Sequence, residues 1–211
     1  MKSFIFILFA ICCFSCQDAS KNNTSNDFDI ANGENVITVE NNEVLKSDLI
    51  LNQLEGTWYY NDEPFNGYSV KFHSNDSLQE KLGFHNGKRQ GVAKTWSENG
   101  VLRIEAYFNQ NKLTGVYRSY WENGILALKV NYVDGKKQGE EKQWYSNGEI
   151  SKIRQLEDNE ENGLQKAWLP NGQLYVNYEA KNGRIFGMKR ANSCYKLENE
   201  IVIRKDVVEA K

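Results

Sequence analysis

Residues that carry covalent or metal chemistry are few in this chain, and their spacing does not assemble them. The histidines are His73 and His85, and the cysteines are Cys12, Cys13, Cys16 and Cys194. No His-Glu-x-x-His pair, Gly-x-Ser-x-Gly turn or Walker loop occurs, and no Cys-x-x-Cys pair lies outside the apolar N-terminal segment that ends at Cys16. Aspartates and glutamates are abundant but sit near turns, where they are ordinary solvated residues. No helical pattern follows any glycine, so none opens a phosphate-binding helix. The expectation is a protein that is not an enzyme and has no metal site and no cofactor.

Chemistry of another kind recurs. An aromatic residue stands at one repeated place, as Phe72, Trp96, Tyr120, Trp144 and Trp168. Two residues earlier stands a base, Lys94, Arg118, Lys142 and Lys166; Arg190 holds that place in the last unit and Val70 in the first. Positions two apart on a strand share a face, so an aromatic row beside a basic row is expected, with equivalents about 10 Å apart if each repeat adds two strands. Rings beside Arg and Lys suit peptides, glycans or stacked bases, and the cations suit phosphates or acidic lipid heads. The same rows serve as structure, with rings supporting neighbouring strands and Lys or Arg stems lying over them. Both readings stay open on the sequence. Glu98, Glu105, Glu122, Glu140 and Glu141 are interspersed and dilute the basic character.

The elements that position these rows are punctuated by glycine. Gly67, Gly91, Gly115, Gly139, Gly163 and Gly187 fall at a constant interval of 24 residues, and Gly100, Gly124, Gly148 and Gly172 keep the same interval. Such a period marks a modular array, which builds long surfaces rather than enclosed pockets. Asn99-Gly100, Asn123-Gly124, Asn147-Gly148 and Asn171-Gly172 read as two-residue type I′ hairpin turns, and the opposite turns, at 85–88, 133–136 and 181–184, read as looser. Strand alternation puts Leu102, Ile104, Ala106 and Phe108 on a buried face, repeated by Leu126, Leu128, Val130 and Tyr132 and by Leu174, Val176, Tyr178 and Ala180. Lys152 and Arg154 interrupt the pattern after Ile150, so that strand is expected to be weaker or locally shifted. Irregular first and last units fit an array closed by caps.

Composition sets bounds. The chain is 40% apolar and 26% charged with a mean hydropathy of -0.67, which predicts a folded but polar protein with a thin core. Its net charge of -2 gives no global case for nucleic acid, and none is expected as a partner. Residues 4–14 form an apolar run after Lys2, too short to span a bilayer but suited to a signal peptide. The segment ends in Phe14-Ser15-Cys16, which resembles the lipobox of bacterial lipoproteins, with Cys13 and Phe14 departing from the usual pattern. That resemblance implies lipidation at Cys16 and a place in the bacterial cell envelope, on the outer membrane or facing the periplasm. Cys194 then remains alone in the mature chain, where a small apolar filler role is the simpler reading than a reactive thiol. The expected divisions are a signal peptide at 1–15, a flexible tether at 16–28, an N-terminal cap at 29–54, the array at 55–190 and C-terminal cap strands at 191–211.

The unit Asn-Gly-Lys-x-x-Gly-x-x-Lys-x-Trp-x-x-Asn-Gly resembles the MORN repeat, in the variant common among bacterial proteins labelled antitoxin-like. Departures are Asn111 and Asn159 where other repeats have glycine, and Asn192 where the last aromatic is due. The resemblance implies an all-β fold, an elongated, twisted antiparallel sheet of tandem β-hairpins. For function it implies scaffolding of a protein or envelope component, with membrane attachment through the lipid. It also leaves an antitoxin or immunity role and direct lipid binding as alternatives.

Overall fold

A computed structural model describes residues 37–188 and, beyond them, the strands Tyr195–Glu198 and Ile201–Arg204. The expectations placed on the signal peptide, Cys16, the tether, Arg190, Asn192 and Cys194 lie outside the described residues. The array itself is built from long strands: β5 (Gly67–Phe72), β6 (Leu78–His85), β7 (Lys88–Trp96), β8 (Leu102–Asn109), β9 (Lys112–Tyr120), β10 (Leu126–Val133), β11 (Lys136–Trp144), β12 (Ile150–Glu157), β13 (Glu160–Glu161), β14 (Gly163–Trp168), β15 (Leu174–Lys181) and β16 (Arg184–Met188). Each pairs with its neighbour in sequence, so the sheet is a meander, with the short β13 lying beside β12. Ahead of it come β1 (Glu43–Leu45), a single 3-10 turn at Lys46–Asp48, and β2 (Ile50–Asn52), β3 (Thr57–Tyr60) and β4 (Glu63–Pro64). The described strands at the C-terminal end, β17 and β18, pair with each other.

The fold is all-β, but the sheet is mixed rather than purely antiparallel, because β1 runs parallel to β5 at its edge. The lead-in segment also closes on the array. Strands β2, β3 and β4 form their own sheet, and Trp58 and Phe65 pack edge-on and tilted against Phe84 with centroids 6.1 and 5.7 Å away. Leu49, Phe65, Leu82, Phe84, Ala93 and Ala106 make one buried cluster there. Further along, Val130, Leu156, Tyr178 and Ala180 of the expected face are buried, whereas one-residue bulges set Leu102, Leu126 and Leu174, expected on that face, opposite Trp96, Tyr120 and Trp168.

The two kinds of turn are exchanged relative to the sequence expectation. At His85–Lys88 the end residues pair directly and both central residues have positive φ, 50° at Asn86 and 71° at Gly87. This is the type I′ turn. Gln110 and Asn111 repeat it at 47° and 70° without any glycine, and Asp158 and Asn159 at 51° and 75°, because asparagine and aspartate tolerate this region. At Asn99-Gly100, only the glycine has positive φ. The loop is wider there, closed by Gly100 N–H donating to the Ser97 carbonyl at 2.9 Å and Ser97 N–H donating to the Val101 carbonyl at 2.9 Å. Its asparagines serve as Asx caps: Asn123 Oδ1 accepts from Ile125 N–H at 3.1 Å and Asn171 Oδ1 from Gln173 N–H at 3.0 Å.

The first glycine comb lies inside strands, not in turns. Between β6 and β7, Leu82 pairs with Ala93 and Phe84 with Arg89, so Gly83 alone faces Gln90, Gly91 and Val92. Gly91 carries the reversal at φ 71°. A single extra residue would flip every later side chain to the opposite face, whereas two keep the alternation. Across the next strand pair Gly91 lies opposite Phe108, Gly115 opposite Tyr132 and Gly139 opposite Leu156.

Adjacent repeats are tied along both ends of the strands. On one side, N–H groups of Gly87, Asn111, Gly135 and Asn159 donate to the carbonyls of Phe65, Arg89, Leu113 and Lys137 at 2.8–3.1 Å. Asn111 adds its side chain, accepting from Arg89 N–H at 2.7 Å and donating to the Gly56 carbonyl at 2.9 Å. On the other side, the carbonyls of the aromatic row are held by side chains of the preceding repeat. His73 Nε2 donates to Trp96 at 2.9 Å, Trp121 Nε1 to Trp144 at 3.0 Å and the Tyr145 hydroxyl to Trp168 at 2.7 Å.

Two glycine substitutions separate backbone strain from crowding. An added Cβ at Gly139 meets nothing within 4 Å, so Gly139→Ala is expected to cost about 1 kcal/mol from its positive φ alone. At Gly67 the Cβ would run into the Asn42 carbonyl oxygen, which accepts Tyr68 N–H at 2.6 Å. Gly67→Ala should therefore lower the urea midpoint clearly more than Gly139→Ala; equal midpoints would contradict the account.

Candidate binding face

The candidate residues sit on the strands that follow each type I′ turn. β7, β9, β11 and β14 each carry a base and, two residues on, an aromatic: Lys94 with Trp96, Arg118 with Tyr120, Lys142 with Trp144 and Lys166 with Trp168. These rings are half-buried, and Phe72 on β5 is more open at 46% exposure. Beside each aromatic the partner strand bulges by one residue, since Thr95 pairs with Ile104 and Trp96 with Leu102. Arg103, the residue so displaced, donates its Nε to the Tyr120 carbonyl at 2.9 Å and pairs with Glu122. Burial, then the charge of Glu105, raises the Tyr120 hydroxyl pKa, so this ring presents a neutral phenol.

The intervening strands turn the expected basic row into a denser one. Reading register pairs across the sheet, Lys81 faces Lys94, Lys94 faces Glu105, Glu105 faces Arg118, Arg118 faces Lys129 and Lys129 faces Lys142. The row continues through Ile153 to Lys166. Lys81 and Lys129 lie outside the rows counted from the glycines, but 81, 105, 129, 153 and 177 form a 24-residue comb of their own on the other strand of each hairpin. Like charges directly opposite each other destabilise a strand pair. Three cations abreast, Arg118, Lys129 and Lys142, are therefore a cost in the unbound sheet.

Acids relieve that cost unevenly. Glu105 is shared by Lys94 at 3.0 Å and Arg118 at 3.3 Å, Lys142 is met by Glu140 at 2.6 Å, and Lys81 by Glu43. Lys129 is exposed and has no acidic partner among the described residues. At the first unit the base is absent because Val70 is buried, at 7% exposure, where β1 pairs alongside β5.

Glu141, counted among the diluting acids on the sequence, belongs to the other face and is not part of the row. It is fully buried on β11, opposite Arg154. Lys137 Nζ reaches it at 2.7 Å, Arg154 Nε at 2.8 Å and Gln143 Nε2 at 3.0 Å. Burial alone pushes this carboxyl upward, and the bonds from Lys137 and Arg154 outweigh it, so its pKa lies below the ordinary 4.5. The network ends at Tyr178, whose hydroxyl donates to Glu161 at 2.6 Å and is pushed up to about 12 by burial and then by that carboxylate. Arg154 is thus engaged on the buried face, while β12 meets β14 in register only at Lys152–Ala167 and Ile153–Lys166. The strand has the full eight residues, and the irregularity falls on its partner, which is split into β13 and β14.

Among the described residues, no group of three or more His, Cys, Asp or Glu is placed to hold a metal ion. What the face offers is a repeated cation beside a repeated ring. The sequence pattern of the MORN repeat variant matches residues 89–110, 113–134 and 137–158, which are the hairpins β7–β8, β9–β10 and β11–β12 bounded by type I′ turns. Three tandem MORN-variant repeats occupy the middle of the chain. No curated protein matches the chain. The meander of hairpins continues on both sides, as β5–β6 before the matched segment and β14–β15 after it. MORN repeats thus provide a scaffold suited to binding.

The Glu141 network gives a pH dependence with a definite sign. Its folded pKa is depressed, so the unfolded chain binds the proton more readily and the contribution is present above about 4.5 and lost as pH falls through the folded value. Wild type should lose stability on acidification below that point more steeply than Glu141→Gln in urea titrations. Arg154→Met, which leaves a buried carboxylate short of its main partner, should cost about 3 kcal/mol near neutrality.

Proposed function

We propose that the chain is a lipid-anchored binding module of the bacterial envelope, non-catalytic, which holds a protein or an envelope component on the open face of its MORN sheet. The observation that carries this reading is the difference between the two faces. One is filled by Ala106, Val130, Glu141 and Ala180, all buried, whereas the other presents Lys94 and Lys142 at 38% and 36% side-chain exposure with rings beside them. The lipobox-like Cys16 supports the anchor, and the polar stretch after it supports a tether long enough to let the array move away from its attachment point. Stable attachment needs more than one acyl chain, as bacterial lipoproteins carry. A non-catalytic role is supported by how the histidines are engaged: His73 is spent on the Trp96 carbonyl, and His85 lies against Asn86 in a turn.

Two measurements test the two halves separately. Cys16→Ala should move the protein out of the membrane fraction; retention there would remove the anchor from the proposal. Pull-down from native envelope should lose its captured component when Trp96, Trp144 and Trp168 are replaced together by leucine, with strand content by circular dichroism kept. Unchanged capture by this folded variant would reject the open face as the binding surface.

A further inference from the structure

We infer that the open face is a track for a linear anionic polysaccharide laid across the strands, with its acidic groups on the Arg118–Lys129–Lys142 row and its sugar rings on the parallel row of Trp96, Trp144 and Trp168. The inference rests on the reading of this face as the binding surface and names the class of ligand it takes.

The charge argument comes first. The sheet brings like charges into register on three consecutive strands, at strand separations of about 4.8 Å, in a chain whose net charge is -2. Repulsion across those pairs opposes folding, and the central member, Lys129, is exposed without an acidic partner among the described residues. An anion arriving from outside turns that repulsion into attraction.

Periodicity and shape select the anion. Each cation on β7, β11 and β14 has a ring two residues along the same strand, and the next equivalent pair lies two strands on, about 10 Å away. Two successive pyranose rings of an extended polysaccharide cover that distance, and their C–H faces suit aromatic faces while carboxylates or sulfates meet the lysines. An extended peptide advances about 3.4 Å per residue, so its alternate side chains fall out of step with the repeat. A bilayer presents the right charge but the wrong shape. Adjacent strands rotate by roughly 20–25°, so over the seven steps from β6 to β14 the row turns through about 150°. A plane touches only part of such a row, whereas a flexible chain follows it.

The test uses the full-length protein and alginate, an acidic polysaccharide, with neutral dextran, polyglutamate and vesicles rich in phosphatidylglycerol as alternatives. Alginate should bind and dextran should not, and binding should weaken as salt is raised because the contacts are exposed. Lys129→Glu is the deciding variant. By placing an acid between Arg118 and Lys142 it should raise the urea midpoint, and it should weaken alginate binding about tenfold or more. Trp144→Leu, folded by circular dichroism, should weaken alginate binding as well. Stronger binding to polyglutamate or to vesicles than to alginate, lost in the same variants, would overturn the polysaccharide while leaving the open-face reading in place. Failure of alginate to bind at low salt, or alginate binding unchanged in Lys129→Glu, would overturn the inference outright. The envelope pull-down with the triple tryptophan variant judges the open-face reading independently.

Discussion

A residue with positive φ inside a strand, once every repeat, is the constraint on which this sheet depends. At Gly91, Gly115 and Gly139 the backbone reverses at φ 65–80° while the strand continues on either side. The detour takes up two residues, an even number, so inward positions stay inward along the whole strand. Across the next strand pair the same glycines stand opposite Phe108, Tyr132 and Leu156. Conformation and register are thus joined at one residue. Each repeat can then present the same faces as the last, which is what allows a row of cations to form at all.

A sheet of this kind has little interior to rely on. Among the described residues a second layer covers its N-terminal end, where β2, β3 and β4 bring Phe65 and Trp58 onto Phe84. Beyond it, cohesion comes from contacts between neighbours, as in other one-dimensional arrays. Turn amides bond to the carbonyls of the preceding repeat, and side chains such as Trp121 and Tyr145 hold carbonyls of the next. On the buried face the Glu141 carboxylate is met by two cations and an amide. A buried charge is tolerable on those terms and costly once a partner is removed.

The period, the all-β class and the inward face were legible because each is a local pattern repeated many times. The turns run against local dipeptide preference. Asn-Gly is the favoured type I′ dipeptide, yet Asn99-Gly100 sits in a wider loop, and Gln110-Asn111 makes the tight turn with no glycine at all. Local preference lost there to the number of residues the register leaves between strand ends, which only pairing reveals. Lys152 and Arg154 looked like defects for a similar reason. The partner that makes Arg154 useful, Glu141, is on another strand 13 residues away, and its burial cannot be read from its own neighbours in sequence.

Sequence alone determined the repeat, because a 24-residue spacing of glycine, ring and base is written in the order of residues. It also carried the lipobox-like Cys16 and the scarcity of catalytic groups. Tertiary structure decided which repeated residues meet. The bulges set a register in which Lys129 stands directly between Arg118 and Lys142, while Glu141, next in sequence to Lys142, is turned to the buried face. Neighbourhood across strands depends on hydrogen-bond pairing and on the even-numbered detour at each glycine, and neither is a property of any single segment.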